Sequence, residues 1–256
     1  MSEIVKSNIA EMFGPVIQGE GATMGVPSFF LRYSQCSLMC GGHNGSLLAA
    51  GKATWWCDSE VIWKKGVDKH PQEILDFMAE QGELERILAG TTHVILTGGE
   101  PALPQNLKAI TSLIDYIREN YPDSTPYYEL ETSASRYHPT NDKWFDEYID
   151  QINCSAKIAN SGMPKAMRVQ PRALRQMTAH KNFWWKIVVS SEDDWNEFMN
   201  DYGEFVDLNR VYVMPAGATK ADLLKTNKVA WDLACKYNVR MSLRAQVETW
   251  EEVTGV

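Results

Sequence analysis

Phe29-Phe30-Leu31-Arg32-Tyr33-Ser34-Gln35-Cys36-Ser37-Leu38-Met39-Cys40 is the stretch that decides the fold. Apart from Arg32, its first five residues are aromatic or aliphatic, a compact β-prone run. The run leads straight into a loop that opens at Cys36 and Cys40 and closes at Cys57-Asp58-Ser59. Three of the chain's five cysteines lie there, within 22 residues. A strand whose C-terminal end delivers such a loop is the arrangement of α/β proteins, which gather their chemistry at that edge of a parallel sheet. Residues 41–56 hold four glycines and little periodicity, and read as loop.

Outward from this stretch, strand and helix signals alternate. Pro71 to Gln81 presents Ile74, Leu75 and Met78 on one helical face behind a proline suited to the first turn. His93-Val94-Ile95-Leu96 is a buried-type strand that ends in Thr97-Gly98-Gly99-Glu100-Pro101. Leu107, Ile110, Leu113, Ile114 and Ile117 then recur at helical spacing up to Tyr121-Pro122. Tyr127–Glu131, Ile152–Lys157, Trp184–Val189, Val211–Met214 and Val239–Leu243 read as further strands. Helical signals over Trp144–Tyr148, Arg172–Thr178, a stretch begun at Ser191 and one capped by Thr219 and stopped at Asn238 lie between them. Residues 9–21 read as a short apolar run that breaks into glycines. β-then-α alternation implies parallel strands with crossover helices. Roughly six strands are too few for a closed eight-stranded barrel. No repeat or linker divides residues 1–256, so one domain is expected.

Lys plus Arg total 25 against 33 Asp plus Glu, a formal charge of −8 that argues against a surface built to coat nucleic acid. No apolar run approaches membrane-span length, and the first residues lack the basic-then-apolar pattern of a signal peptide. A cytoplasmic protein with no membrane partner is expected. In that compartment clustered cysteines are metal ligands or catalytic groups more often than disulfides.

Isolated cysteines are usually small buried apolar residues, which suits Cys154 and Cys235. Three in one glycine-containing loop point to metal. Zinc calls for a fourth ligand, for which His43 is the nearby candidate. Three thiolates without a fourth fit a [4Fe–4S] cluster that keeps one iron open to a small molecule. Thr97-Gly98-Gly99-Glu100-Pro101 is at its plainest a turn. Beside a cysteine loop, the two glycines also expose backbone groups to a ligand, and Glu100 supplies an acceptor for an ammonium.

A three-cysteine loop followed by a strand ending in Gly-Gly-Glu-Pro resembles the radical S-adenosylmethionine (SAM) superfamily. The resemblance narrows through Glu11-Met12-Phe13-Gly14-Pro15-Val16-Ile17-Gln18-Gly19-Glu20-Gly21, Phe30-Leu31-Arg32 and Cys57-Asp58-Ser59 to the 7-carboxy-7-deazaguanine synthases, over nearly the whole chain. It implies a partial, roughly six-stranded parallel α/β barrel with the cluster at its open top. It implies a radical ring contraction of 6-carboxy-5,6,7,8-tetrahydropterin to 7-carboxy-7-deazaguanine with loss of ammonia, toward queuosine-type deazapurines. The implied cofactors are a [4Fe–4S] cluster on Cys36, Cys40 and Cys57, SAM, and Mg²⁺ on Ser59. Ile17, Gln18, Gly19 and Glu20 would border the pterin, Arg32 would meet a substrate carboxylate, and Thr97, Gln246 and the terminal carboxylate of Val256 would complete the pocket. SAM would lie against Gly98, Gly99, Glu100, Glu131, Ser155, Ala156, Lys157, Met214, Pro215, Ala216 and Gly217. A reductase such as flavodoxin or ferredoxin and a homodimeric partner are likewise implied. No general acid or base is assigned.

Two departures stand out. Relatives space their cysteines Cys-x3-Cys-x2-Cys, whereas 16 residues separate Cys40 from Cys57 here, including His43, Trp55 and Trp56. Gln246 stands where relatives often carry histidine, and an amide cannot carry a proton near neutral pH. The competing readings are a radical SAM activase acting on a partner protein, and a zinc-binding interaction module built on Cys36, Cys40, Cys57 and His43.

Overall fold

The computed structural model describes residues 4–138, 143–251, 253 and 255. Its strands are β1 (Ser7–Ile17), β2 (Pro27–Tyr33), β3 (Val67–Lys69), β4 (His93–Gly98), β5 (Tyr128–Thr132), β6 (Gln151–Ser155), β7 (Phe183–Val189), β8 (Val211–Pro215) and β9 (Arg240–Met241). They form one sheet in the order β3-β1-β2-β4-β5-β6-β7-β8-β9. From β2 onward every pairing is parallel, with helices in the crossovers. The strand ends at Gly98, Thr132, Ser155 and Pro215 therefore open onto one edge, where Tyr33 of β2 pairs in register with Gly98. Parallel strands with crossover helices are what the alternation implies, and the arrangement is the partial parallel barrel implied by the resemblance.

The pleat divides the sheet into two chemistries. Leu31, Leu96, Leu130, Ile152, Trp185, Ile187 and Val213 are essentially unexposed on the face that meets the helices. Against them lies the helix Pro104–Asn120, whose Leu107, Ile110, Leu113, Ile114 and Ile117 are buried as their spacing predicts. Truncating one such side chain to alanine costs about 2–5 kcal/mol. The alternate positions, Arg32, Thr97, Glu129, Glu131, Gln151, Asn153 and Lys186, look into the concave side. Period-2 alternation along Tyr128-Glu129-Leu130-Glu131 and Phe183-Trp184-Trp185-Lys186 places them there.

Helix ends follow local chemistry. Ser191 and Asp194 make a capping box at the start of Glu192–Tyr202, and the Thr219 hydroxyl accepts from the Asp222 amide at 3.2 Å. Asn238 stops Lys220–Tyr237 in the left-handed conformation, φ 51°.

Several expectations need correction. Cys235, read as a small buried apolar residue, is exposed on the helix Lys220–Tyr237. Residues 41–56, read as loop, hold a 3₁₀ turn at His43–Gly45 and a short helix at Ser46–Ala49. Residues 9–21 are not a short apolar run, since β1 is an eleven-residue strand antiparallel to β2 and β3, bulged between Ile9 and Glu11 and between Phe13 and Val16. The bulges interrupt the alternation that would have marked it as a strand. β3 was not foreseen, being three residues with no apolar signature. The strand read over Val239–Leu243 contracts to β9, and the tail beyond it winds into the helix Ala245–Trp250.

Candidate active site

Two segments meet at the open edge, and a third covers the concave face. The cysteine loop follows β2, the Gly98-Gly99 turn follows β4, and the β1–β2 hairpin with the C-terminal segment closes over the concave face. Glycine is required where they touch. An alanine Cβ at Gly99 would sit 2.1 Å from the Gln35 carbonyl oxygen and 2.9 Å from Cys36 Cβ. At Gly98, φ 147°, it would meet the Tyr33 oxygen at 2.1 Å. The turn thus lies directly against the chain that carries the first cysteine, and amides join the two: Gly99 N–H to Tyr33 O at 3.1 Å and Glu100 N–H to Gln35 O at 2.8 Å.

Cys36, Cys40 and Cys57 are free thiols, Cys40 buried and the other two half-buried, set with Leu38, Met39, Leu47, Trp55 and Met163 in an apolar lobe. Burial and the negative charge of Glu100 push the Cys36 thiol up to about 12. Burial pushes Cys40 up to about 11, against the pull of the Lys157 ammonium. Both also feel the charge of Cys57, so the three sulfurs form one electrostatic set despite the 16-residue insert. Soft thiols that are costly to ionise alone, gathered in an apolar lobe, fit a cluster whose iron compensates three thiolates.

His43 does not join them. Its side chain is 68% exposed and faces the Glu60 carboxylate at 3.8 Å and the Lys64 ammonium at 3.4 Å. Among the described residues, no three His, Cys, Asp or Glu side chains, the three cysteines included, are drawn together as a ready-made metal site, and the cysteines are related by the apolar lobe they share. The rest of the insert docks on the turn after β6. Gly41 N–H donates to Ser161 O at 2.8 Å, Thr54 N–H to Asn160 O at 2.9 Å, and Trp55 Nε1–H to Asn160 Oδ1 at 2.9 Å. Lys157 lies 5.6 Å from the Trp55 ring centre, a cation–π contact, and its ammonium donates to Ser155 Oγ at 2.8 Å. The insert therefore ties the Cys40 lobe to Ser155-Ala156-Lys157.

The structure differs from the sequence reading at Glu100. Its carboxylate is buried and takes four hydrogen bonds: Oε1 from Ala102 N–H (3.0 Å) and Thr132 Oγ1–H (2.6 Å), Oε2 from Ser133 N–H (3.0 Å) and Ser133 Oγ–H (2.5 Å). With its lone pairs so occupied, Glu100 braces the end of β5 against the turn. The surface presented by the motif is the backbone of Gly98 and Gly99. At the end of β8, Met214 is buried, Ala216 N–H donates to Val189 O at 3.0 Å, and the Gly217 oxygen accepts from Arg244.

The Gln18-Gly19-Glu20-Gly21 hairpin lies over the concave face. Gln18 is buried and donates to Glu131 Oε1 at 3.3 Å. Glu20 takes Arg244 Nε at 2.9 Å and Gln246 Nε2 on one oxygen and Lys186 Nζ at 3.3 Å on the other. Lys186 Nζ also meets both oxygens of Glu131, at 2.9 and 2.7 Å. Burial pushes the Glu20 carboxyl up, but Lys186 and Arg244 outweigh this and hold it at about 2, below its ordinary 4.5. Burial keeps Glu131 above the ordinary carboxylate range in spite of Lys186. The glycines between these groups have steric reasons. A Cβ at Gly19 would come within 2.0 Å of Gln246 Oε1, and one at Gly21, φ 76°, within 3.0 Å of Lys186 Cδ.

The remaining candidates are spread around this pocket. Ile17 is 54% exposed at its rim. Arg32 and Thr97 are register partners on β2 and β4, and Arg32 Nε already pairs with Glu11 at 3.1 Å. The Ser59 hydroxyl is 3.5 Å from Cys57 Sγ, and the neighbouring Asp58 acts electrostatically on Arg244. Gln246 Oε1 is buried without a hydrogen-bond partner among the described residues, an acceptor beside Gly19 of the hairpin. Val256 lies outside the described residues. Sequence reasoning passed over Lys186, Arg244 and Glu129. Lys186 did leave a signal, as a lysine at the centre of an otherwise apolar strand whose neighbours alternate.

No family model matches the chain. A 7-carboxy-7-deazaguanine synthase of Bacillus cereus is 30% identical over 195 residues, covering 74% of this chain and 68% of the relative. One of Pyrobaculum aerophilum is 26% identical over the full length of both chains. Among solved structures, QueE from Escherichia coli superposes with a TM-score of 0.63 at 19% identity, over 94% of each chain. The enzyme anSMEcpe with bound AdoMet gives 0.52 at 19% identity, over 82% of this chain and 59% of that one.

Proposed function

The chain belongs to the 7-carboxy-7-deazaguanine synthase family, and from that premise we propose how its own residues serve a radical ring contraction of 6-carboxy-5,6,7,8-tetrahydropterin to 7-carboxy-7-deazaguanine with loss of ammonia. It is a radical SAM enzyme of deazapurine biosynthesis. The observation that carries the residue-level reading is the pairing of two surfaces on one parallel sheet: a three-thiol lobe in the loop that follows β2 and a charged, hydrogen-bonding concave face, linked by the charge of Asp58 acting on Arg244.

Cys36, Cys40 and Cys57 hold the [4Fe–4S] cluster, which with SAM bound supplies one-electron reductive cleavage to the 5′-deoxyadenosyl radical. The backbone of Gly98 and Gly99 receives the amino-acid end of SAM, and Glu100 keeps that backbone in place. Ser155-Ala156-Lys157 and Met214–Gly217 border the rest. On the concave side, Gln18 and Glu20 accept and donate along the edge of the pterin, and Glu131, which the resemblance sets against SAM, is reassigned to the pterin because its carboxylate is bound to Gln18 and Lys186 on this face. The free edge of the Arg32 guanidinium forks onto the substrate carboxylate while Nε stays on Glu11, and Thr97 sits beside it. The Ser59 hydroxyl would offer Mg²⁺ one hard oxygen, the kind of donor that ion takes. The buried walls exclude water from a reaction that runs through radicals.

Electrons come from a reductase such as flavodoxin or ferredoxin, and the enzyme works as a homodimer in the cytoplasm. Leu224 and Trp231, 79% and 64% exposed on the helix Lys220–Tyr237, support a second copy. No helix among the described residues is long and apolar enough to cross a membrane.

The decisive experiment is anaerobic incubation of reconstituted protein with SAM, Mg²⁺, a reductant and the carboxytetrahydropterin, read by mass. The deazapurine acid is the expected product. 5′-Deoxyadenosine without it would discard the substrate assignment.

A further inference from the structure

We propose that Lys186 is a positioning residue of the substrate pocket, fixing Glu131 and Glu20 in one arrangement as ionised acceptors for the N–H groups of the substrate heterocycle. The inference rests on the pterin reading above. Lys186 is 2% exposed, rises from the middle of β7, and reaches three carboxylate oxygens at 2.7, 2.9 and 3.3 Å. Through them it joins parts of the chain far apart in sequence: β5 through Glu131, the hairpin through Glu20, and the C-terminal segment through Arg244 on the same glutamate. Gln18 hangs on the Glu131 oxygen that Lys186 holds, so the ammonium indirectly aims Gln18 as well. Gly21 lets the hairpin descend onto the lysine stem.

Stability alone does not account for this arrangement. Replacing a buried ion pair by well-packed apolar residues is often neutral or stabilising, whereas losing one partner leaves an uncompensated charge. Two carboxylates, Glu20 and Glu131, face two cations, Lys186 and Arg244, so the set is neutral as it stands. A carboxylate held this way accepts paired N–H donors from an amino-substituted ring such as the pterin. The other titratable groups within electrostatic reach of the set are Glu129 on the strand of Glu131, Asp58 beside Arg244, and Cys154 on the opposite face of β6. None of these supplies the missing positive charge when Lys186 is removed. Burial already raises the Glu131 carboxyl, so loss of the ammonium drives it further toward its neutral form.

The test uses the cluster-reconstituted enzyme. K186M, with wild-type iron content as the check on folding, is expected to raise KM for the carboxytetrahydropterin about tenfold to a hundredfold. It should also release 5′-deoxyadenosine in excess over deazapurine and move the acid limb of kcat/KM to higher pH. K186R, which keeps the charge, should return that limb. If K186M fails to hold iron, K186M/E131Q restores the charge balance and should keep the raised KM without the moved limb. Wild-type KM, coupling and pH profile in K186M, or wild-type KM in the double variant, overturn the role of Lys186 alone. Absence of deazapurine from the unaltered enzyme overturns both this inference and the function on which it rests.

Discussion

Substituting Glu100 separates a brace from a ligand. The carboxylate lies between two backbone amides, Ala102 N–H on one oxygen and Ser133 N–H on the other, with the Thr132 and Ser133 hydroxyls beside them. Hydroxyls can rotate toward other acceptors, and Ser133 Oγ already has Ser135 Oγ at 2.8 Å. Amides cannot turn. In E100Q the new NH₂ faces one of the two backbone N–H groups in either orientation, so one buried donor is stranded, at a cost of about 1–3 kcal/mol. In E100A both are stranded, which doubles the range to about 2–6 kcal/mol before any cavity is counted. Both losses should register as a lower urea midpoint in protein that has not been loaded with cluster or SAM, with E100A the worse. SAM affinity, measured by equilibrium dialysis after reconstitution, should fall only as far as the destabilised turn requires. An unchanged urea midpoint in E100Q combined with a sharp loss of SAM binding would refute the brace and return Glu100 to contact with the ammonium.

Further outcomes follow from the same geometry. Serine at Cys36, Cys40 or Cys57 should each abolish stable iron binding and 5′-deoxyadenosine formation, while C235S, on the exposed face of its helix, should leave iron content unchanged by colorimetric assay. G99A drives a Cβ to 2.1 Å from the Gln35 carbonyl, so it should lose about 1–3 kcal/mol in urea unfolding and reduce cluster occupancy, because the displaced chain carries Cys36. Glu20 has a depressed folded-state value of about 2 against 4.5, so its stabilisation is complete above pH 4.5 and is lost as pH falls through 2. That amounts to about 3 kcal/mol that E20Q should lack at pH 7, and urea midpoints of E20Q and wild type should converge toward pH 2. R32A removes a charge-assisted contact to the substrate carboxylate and should raise substrate KM about tenfold to a hundredfold in steady-state assays.

Much of this molecule is readable one residue after another. Val94, Ile95 and Leu96, then Leu107 to Ile117, announce strand and helix through local periodicity, and the structure keeps them. Ser191, Thr219 and Asn238 mark helix ends because a cap is a local bond between near neighbours. Bulged β1 and three-residue β3 escaped notice because neither carries an unbroken alternation. Glu100 misled for another reason. Its partners Thr132 and Ser133 are about thirty residues away, and a motif does not reveal what saturates a carboxylate from another strand.

The sequence by itself determined the class of fold and the identity of the chemistry. Hydrophobic period is a short-range property, and the three-cysteine loop with the Gly-Gly-Glu-Pro strand end carries the family resemblance that implies iron and SAM, where the thiols alone left zinc open. Tertiary structure alone decided which polar side chains share a pocket. Glu20, Glu131, Lys186 and Arg244 come from four separate regions of the chain: alternation along the parallel strands turns Glu131 and Lys186 to the concave face, and the hairpin and the C-terminal segment bring Glu20 and Arg244 over it. In that desolvated space each charge is tolerable only beside its opposite. That mutual dependence emerges when the strands meet, which is why Lys186, in the sequence only a lysine within an apolar strand, lies at the centre of the site.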